Sequence, residues 1–147
     1  MEIRKILWPT DLSHSSAAAL SYVKSLARKY GAEIILVFVA DDMSEHEPWY
    51  GEFETKHLKA FHDWIVKQAE ERMEKLCKED LEGCPYFRRR ILSGDPAKQI
   101  LRAIEEESPD IVVMTTHGMG GHFPFGSVTE KVVKHSPKPV MTVRPEK

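Results

Sequence analysis

The run Ile34-Ile35-Leu36-Val37-Phe38-Val39-Ala40 is apolar throughout and rich in β-branched residues. A strand with one wet face alternates polar and apolar residues. An unbroken run suits a strand buried on both faces, as in a parallel sheet. Parallel neighbours need long crossovers, usually helices. The rest of the chain supplies them. Ile3, Ile6, Leu7 and Trp8 form a first strand pattern that stops at Pro9. Ala17, Leu20, Tyr22, Val23, Leu26 and Ala27 recur at helical spacing behind the cap candidates Asp11, Ser13, Ser15 and Ser16, and Gly31 suits the helix end. A long charged helix pattern runs from Phe53 to Leu81 through Leu58, Phe61, Ile65, Ala69, Met73 and Leu76, with Gly83 behind it. Tyr86 to Leu92 reads as a third strand. Asp95 caps a helix with Pro96 at its first turn, and that helix ends before Pro109. Asp110 to Met114 is a fourth strand, Ser127 to Val133 a helix, and Val140 to Val143 a last strand. The order β-α-β-α-β-α-β-α-β predicts an α/β fold with right-handed crossovers and helices on both faces.

Length and charge narrow the function. A chain of 147 residues is the size of one domain, so residues 1–147 are expected to form a single unit. The acidic, aperiodic stretch 41–52 is expected to be a mobile loop, with Trp49, Tyr50 and Phe53 anchoring the long helix. A formal net charge of -2 argues against a nucleic-acid partner, which asks for a basic face. The apolar run is far shorter than the ~20 residues that span a membrane. Without a signal-peptide pattern at Arg4 and Lys5, the expected location is the cytoplasm. Cys77 and Cys84 form no CxxC pair and read as reduced thiols, with a disulfide or redox role as the alternative.

In parallel sheets, ligands bind beyond the carboxyl ends of strands, where strand order reverses. Two such connections carry chemistry. The segment Thr115-Thr116-His117-Gly118-Met119-Gly120-Gly121-His122-Phe123-Pro124-Phe125-Gly126-Ser127 is glycine-bearing and leads into a helix. Glycines let backbone N–H groups approach a phosphate, and a helix start adds donors and partial positive charge. An ordinary loop capped by Ser127 fits the same residues. A Walker-type loop is excluded, since Gly-Lys-Ser/Thr does not occur. Asp11, just past the first strand, suits a ribose hydroxyl, a metal on phosphates, or a helix cap. His117 and His122 are candidate phosphate contacts or plain exposed side chains. His46, His57 and His62 make no metal motif. Glu105-Glu106-Glu107 reads as a solvated helix end. Arg88-Arg89-Arg90 reads as surface pairing with acidic helices rather than an anion site.

Several segments, in order, resemble the universal stress protein family. They are Ile6-Leu7-Trp8-Pro9-Thr10-Asp11-Leu12-Ser13, then Gly94-Asp95-Pro96-Ala97, then Asp110 to Met114 with Thr116-His117-Gly118. Gly126-Ser127-Val128-Thr129-Glu130-Lys131-Val132 and Pro139 to Pro145 complete the likeness. The resemblance implies a single doubly wound, five-stranded parallel sheet of order 3-2-1-4-5, Rossmann-like and akin to the adenine nucleotide alpha hydrolases. It also implies an adenine nucleotide such as ATP, with or without Mg. Asp11 would contact the ribose. Pro9, Val39 (through its backbone) and Met114 would border the adenine. Gly118, Gly126, Ser127 and Val128 would hold phosphates, with Thr115 and His117 beside them. The family's nucleotide binders carry Gly-x2-Gly-x9-Gly-Ser/Thr. Here Thr115 stands at the first glycine, and seven residues, Met119 to Phe125, separate Gly118 from Gly126.

Three functions compete. One is a nucleotide-binding stress-response module. The second is a family member without nucleotide, acting on unidentified protein partners. The third is a slow ATPase, for which no convincing base is visible. The resemblance further implies a homodimer through the last strand, Val140 to Val143, whose edge is open to pairing.

Overall fold

A computed structural model describes residues 1–12, 15–40, 55–82, 86–116 and 126–145; the side chains of residues 15, 16 and 55–58 are outside that description. The expected mobile loop 41–52, with Trp49 and Tyr50, lies outside the described residues. So do Ser13, Phe53, Gly83, Cys84 and 117–125.

The strands are β1 (Lys5–Pro9), β2 (Glu33–Ala40), β3 (Tyr86–Ser93), β4 (Ile111–Thr115) and β5 (Val140–Val143). Helices α1 (Leu20–Tyr30), α2 (Thr55–Glu79), α3 (Pro96–Glu107) and α4 (Ser127–His135) connect them. All strand pairs are parallel, in the order β3-β2-β1-β4-β5. This is the implied 3-2-1-4-5 sheet.

Alternation along each strand assigns side chains to the two faces. Ile6, Trp8, Ile34, Leu36, Ile111 and Val113 pack with Val23 and Ala27 of α1 and Met73 and Cys77 of α2. Leu7, Ile35, Val37, Val112 and Met114 pack with Ile100, Ala103 and Ile104 of α3 and Val132 of α4. Burying each large aliphatic side chain contributes about 1.5–3 kcal/mol, more than any single propensity term. The doubly buried β2 run is therefore the centre of both cores.

Local signals hold at two turns, and a long-range carboxylate contact fixes a strand start. Gly31 ends α1 at φ 64°, the left-handed conformation that favours glycine, and its N–H donates to Ala27 O. Asp95 caps α3 by accepting from Lys98 N at 3.0 Å, with Pro96 at the first turn. The Asp110 carboxylate accepts from the backbone N–H of Arg4 (2.8 Å) and Lys5 (3.0 Å), which fixes the start of β1 beside β4.

Three expectations fail. The first α-helix does not start behind Asp11. A 3-10 turn, Ser15–Ala19, comes first, and Ala19 occupies the N-cap without a side-chain bond. Phe61 is not on the buried face: it is 45% exposed and stacks on Trp64, ring centroids 6.2 Å apart. Four-residue steps overshoot a 3.6-residue turn by about 40° each, so the apolar row drifts off the sheet before it reaches Phe61. Glu106 and Glu107 are not merely solvated. Arg88 binds Glu33 and Glu107, and Arg90 binds Glu106 (2.8 Å) and Glu107 (3.0 Å). The arginine run thus pairs with acidic groups, as the sequence suggested.

Candidate functional site

Strand order reverses between β1 and β4, and the two strands part there. Their paired register covers Ile6↔Ile111 and Leu7↔Val112, whereas β1 and β2 stay paired through Pro9. The cause is local. Backbone N–H groups alternate in direction along a strand, and Thr10 donates to Val37 O of β2 at 2.8 Å. Position 9 therefore faces β4, and proline has no N–H to give. The ladder ends, and a crevice opens toward the carboxyl ends.

That crevice is a cleft of ≈ 630 Å³. Its wall is largely apolar: Pro9, Val37, Val39, Ile100, Met114 and Val128. Its polar end comprises Thr10, Asp11, Thr115, Gly126, Ser127 and Thr129. Phe38 and Pro96 complete the lining. Asp11 is exposed at the rim.

The polar end is built by α4. Gly126 is its N-cap, and the Gly126 N–H donates to Thr116 O at 2.6 Å. This bond joins the two residues that flank 117–125. Glu130 N donates to Gly126 O at 3.0 Å. Between them, the N–H groups of Ser127, Val128 and Thr129 have no acceptor within the helix and carry the positive end of its dipole. Thr115 ends β4 rather than opening the loop, and its side of the strand faces the parted β1. Its carbonyl is satisfied instead by the buried hydroxyl of Thr129, which donates at 2.8 Å.

Of the residues singled out from sequence, Pro9, Asp11, Val39, Met114, Thr115, Gly126, Ser127 and Val128 line this one cleft. His117, Gly118 and His122 lie outside the described residues. Thr10, Val37, Phe38, Pro96, Ile100 and Thr129 were missed. Val37 shares a strand face with Val39, and α3 starts where β3 ends, so those positions were within reach of topology. Thr129 had no local signal. His62 lies elsewhere, its Nε2 2.9 Å from Ser93 Oγ. Among the described residues, no group of three His, Cys, Asp or Glu side chains could hold a metal ion. No helix of the described residues is long and apolar enough to cross a membrane.

A parallel sheet of this order, covered on both faces and cleft at its switch point, defines the Rossmann-like α/β class. The model of the Universal stress protein family matches residues 2–144, and the chain belongs to that family. Universal stress protein MJ0577 of Methanocaldococcus jannaschii is 32% identical, over 96% of this chain and 94% of that protein. Its solved structure superposes with a TM-score of 0.85 at 31% identity, covering 100% of this chain and 99% of that one. UspA from Lactobacillus plantarum has a TM-score of 0.86 at 24% identity, over 98% and 99% of the two chains. A universal stress protein from Archaeoglobus fulgidus, solved in complex with dAMP, has a TM-score of 0.67 at 17% identity, over 97% and 98%. The last two likenesses are those of fold.

Proposed function

We propose that this protein is a stress-response module that holds an adenine nucleotide in the cleft between β1 and β4. One observation carries the reading: every residue singled out for nucleotide contact and described by the structure lines the same cleft. The chemistry fits. A flat apolar base suits the wall of Pro9, Val37, Val39 and Met114. A ribose hydroxyl suits the Asp11 carboxylate. A phosphate suits the first-turn N–H groups of α4. The dAMP complex of the Archaeoglobus fulgidus protein is a precedent for such a ligand on this fold. Magnesium enters this reading as an ion carried by phosphates, since Asp11 alone offers it no cage.

Two further features belong to the proposal. The protein pairs as a homodimer through β5, which is an edge of the sheet. It works in the cytoplasm, a reading supported by Cys77, a buried free thiol.

The test of the nucleotide is direct. The purified protein is denatured and its supernatant read by mass spectrometry, and the intact protein is heated with millimolar Mg-ATP, AMP or adenosine. Co-purified nucleotide, or a ligand-dependent rise in melting temperature abolished in Asp11→Ala, is expected. Ligand at 100 times its Kd stabilises by about 2.7 kcal/mol. An empty supernatant with no shift for any of the three leaves the second reading, a partner-binding protein without nucleotide. Thr115, which lines the cleft and stands where the family's nucleotide binders carry their first glycine, is the residue that favours that alternative.

A further inference from the structure

At the far side of the sheet from β5, β3 pairs with β2 along one edge, and no strand of the described residues pairs with its other edge. One bond just past its end fixes the direction of its backbone groups: Gly94 N donates to Ala40 O of β2 at 3.0 Å. Backbone groups alternate in direction along a strand, so Phe87, Arg89, Ile91 and Ser93 turn their N–H and C=O groups outward. Such a row is a template for a further strand.

A helix flanks that edge. Ile91 packs toward the core beneath α1 and α2, and Leu92 toward the opposite core. A period of two therefore puts Phe87, Arg89, Ile91 and Ser93 on the face that α2 covers. The contact of His62 on α2, whose Nε2 lies 2.9 Å from Ser93 Oγ, agrees with that side. Between α2 and the strand lies a groove of ≈ 430 Å³, lined by Lys67, Glu70, Glu71, Glu74, Arg89 and Ile91. It shares no lining residue with the cleft between β1 and β4. An edge strand beside a helix groove suits strand addition by an extended peptide. Main-chain bonds then give affinity, and alternate side chains entering the groove give specificity.

Charge selects the occupant. Three glutamates line the groove against Lys67 and Arg89. Glu74 already pairs with Lys78 at 3.1 Å. Glu70 and Glu71 enter no ion pair among the described residues. A lysine or arginine on an incoming strand complements them. A second copy of this chain fits less well. Antiparallel pairing of two β3 strands along their length sets Arg89 or Arg90 directly opposite itself, and like charges so placed are destabilising.

We propose that the outer edge of β3 receives an extended segment of a partner protein. The segment adds as a strand and places a basic side chain in the α2 groove, against Glu70 and Glu71. The site is separate from the nucleotide cleft and does not depend on its occupant.

Random peptides displayed on phage and selected on the intact protein supply the probe, and the selected sequences are made as free peptides. Lys or Arg flanked by β-branched residues is expected in them. Their titration into 15N-labelled protein is expected to shift the amides of Phe87, Arg89, Ile91 and Ser93 and to slow their hydrogen exchange. Arg89→Pro, which removes an outward N–H and no β2 ladder bond, is expected to weaken binding about 10-fold, through lost main-chain bonding. Glu70→Gln combined with Glu71→Gln is expected to weaken it about 3- to 5-fold, the upper range for exposed ion pairs. That loss shrinks as NaCl rises from about 50 to about 500 mM. The glutamine pair replaces exposed side chains of α2 and decides the question if the proline variant does not fold. Selection of no peptide overturns the proposal, as do peptides that leave the four amides unchanged or bind the glutamine pair as tightly as wild type. Dimerisation of the protein that Arg89→Pro abolishes gives this edge to a second copy and overturns it equally.

Discussion

Thr129 shows what a single hydroxyl contributes at the switch point. Its Oγ1 donates to Thr115 O, a carbonyl left without a strand partner where β1 turns away. Thr129 is 5% exposed, so water does not replace that bond. Thr129→Val keeps the shape and removes the donor. It is expected to cost about 1–3 kcal/mol, the usual penalty of an orphaned buried acceptor. Thr129→Ser retains the hydroxyl and loses less. Urea unfolding of the two variants checks this, and a valine variant within about 0.5 kcal/mol of wild type removes the role. Residues of this kind were invisible in the sequence. Asp11, Gly126 and Ser127 stand next to element ends and announce themselves by position. Thr129 acts through a bond to a residue fourteen positions earlier, which only the folded chain brings near. Thr115 was legible as a departure from the glycine motif, but not as the end of a strand.

At the scale of elements, β3 and α3 are held by ions as well as by apolar packing. Glu107 receives Arg88 and Arg90, with Lys5 Nζ 4.0 Å away. The Arg88 hydrogen bond is the chief reason its carboxyl titrates below the ordinary carboxylate range. The folded state thus favours the ionised form. The stabilisation is complete above the unfolded value of about 4.3 and is lost as pH falls through the lower folded value. Glu107→Gln is expected to cost about 1.5–3 kcal/mol at neutral pH, the range for hydrogen bonds to charged groups. The difference from wild type shrinks below about pH 4. Denaturant midpoints at neutral and acid pH measure it, and an equal deficit at both rejects the ionic origin. Sequence alone located these elements through period and caps. It misjudged which side chains share a face, because Phe61 lies at the far end of a drifting row and Glu107 meets partners from two strands. Both errors concern tertiary neighbours rather than the elements themselves.

For the whole molecule, alternation of buried runs and helical patterns was enough to specify a parallel, two-faced sheet; its strand order came from the family resemblance. The sheet ends in two edge strands, β3 and β5, and the proposed pairing uses β5. Thr116 N donates to Val143 O and Val112 N to Pro139 O, so alternate residues of β5 face β4. Val140 and Thr142 therefore turn their backbone groups outward. A homodimer through this edge predicts that Thr142→Pro, which removes an outward N–H but none of the β4 ladder, weakens dimerisation at least 10-fold. Light scattering across micromolar concentrations reports it. A monomeric wild type removes the dimer, and a dimeric variant moves the interface elsewhere.

The parting of β1 from β4 at Pro9 has a kinetic meaning. The gap is written into the covalent chain, because an imide nitrogen cannot close it. Among the described residues, a ligand entering there has no strand pair to prise apart. On the nucleotide reading, capture is therefore expected to be limited by diffusion and orientation rather than by the opening of a strand pair. Differences in affinity between ligands then appear in how long each one stays.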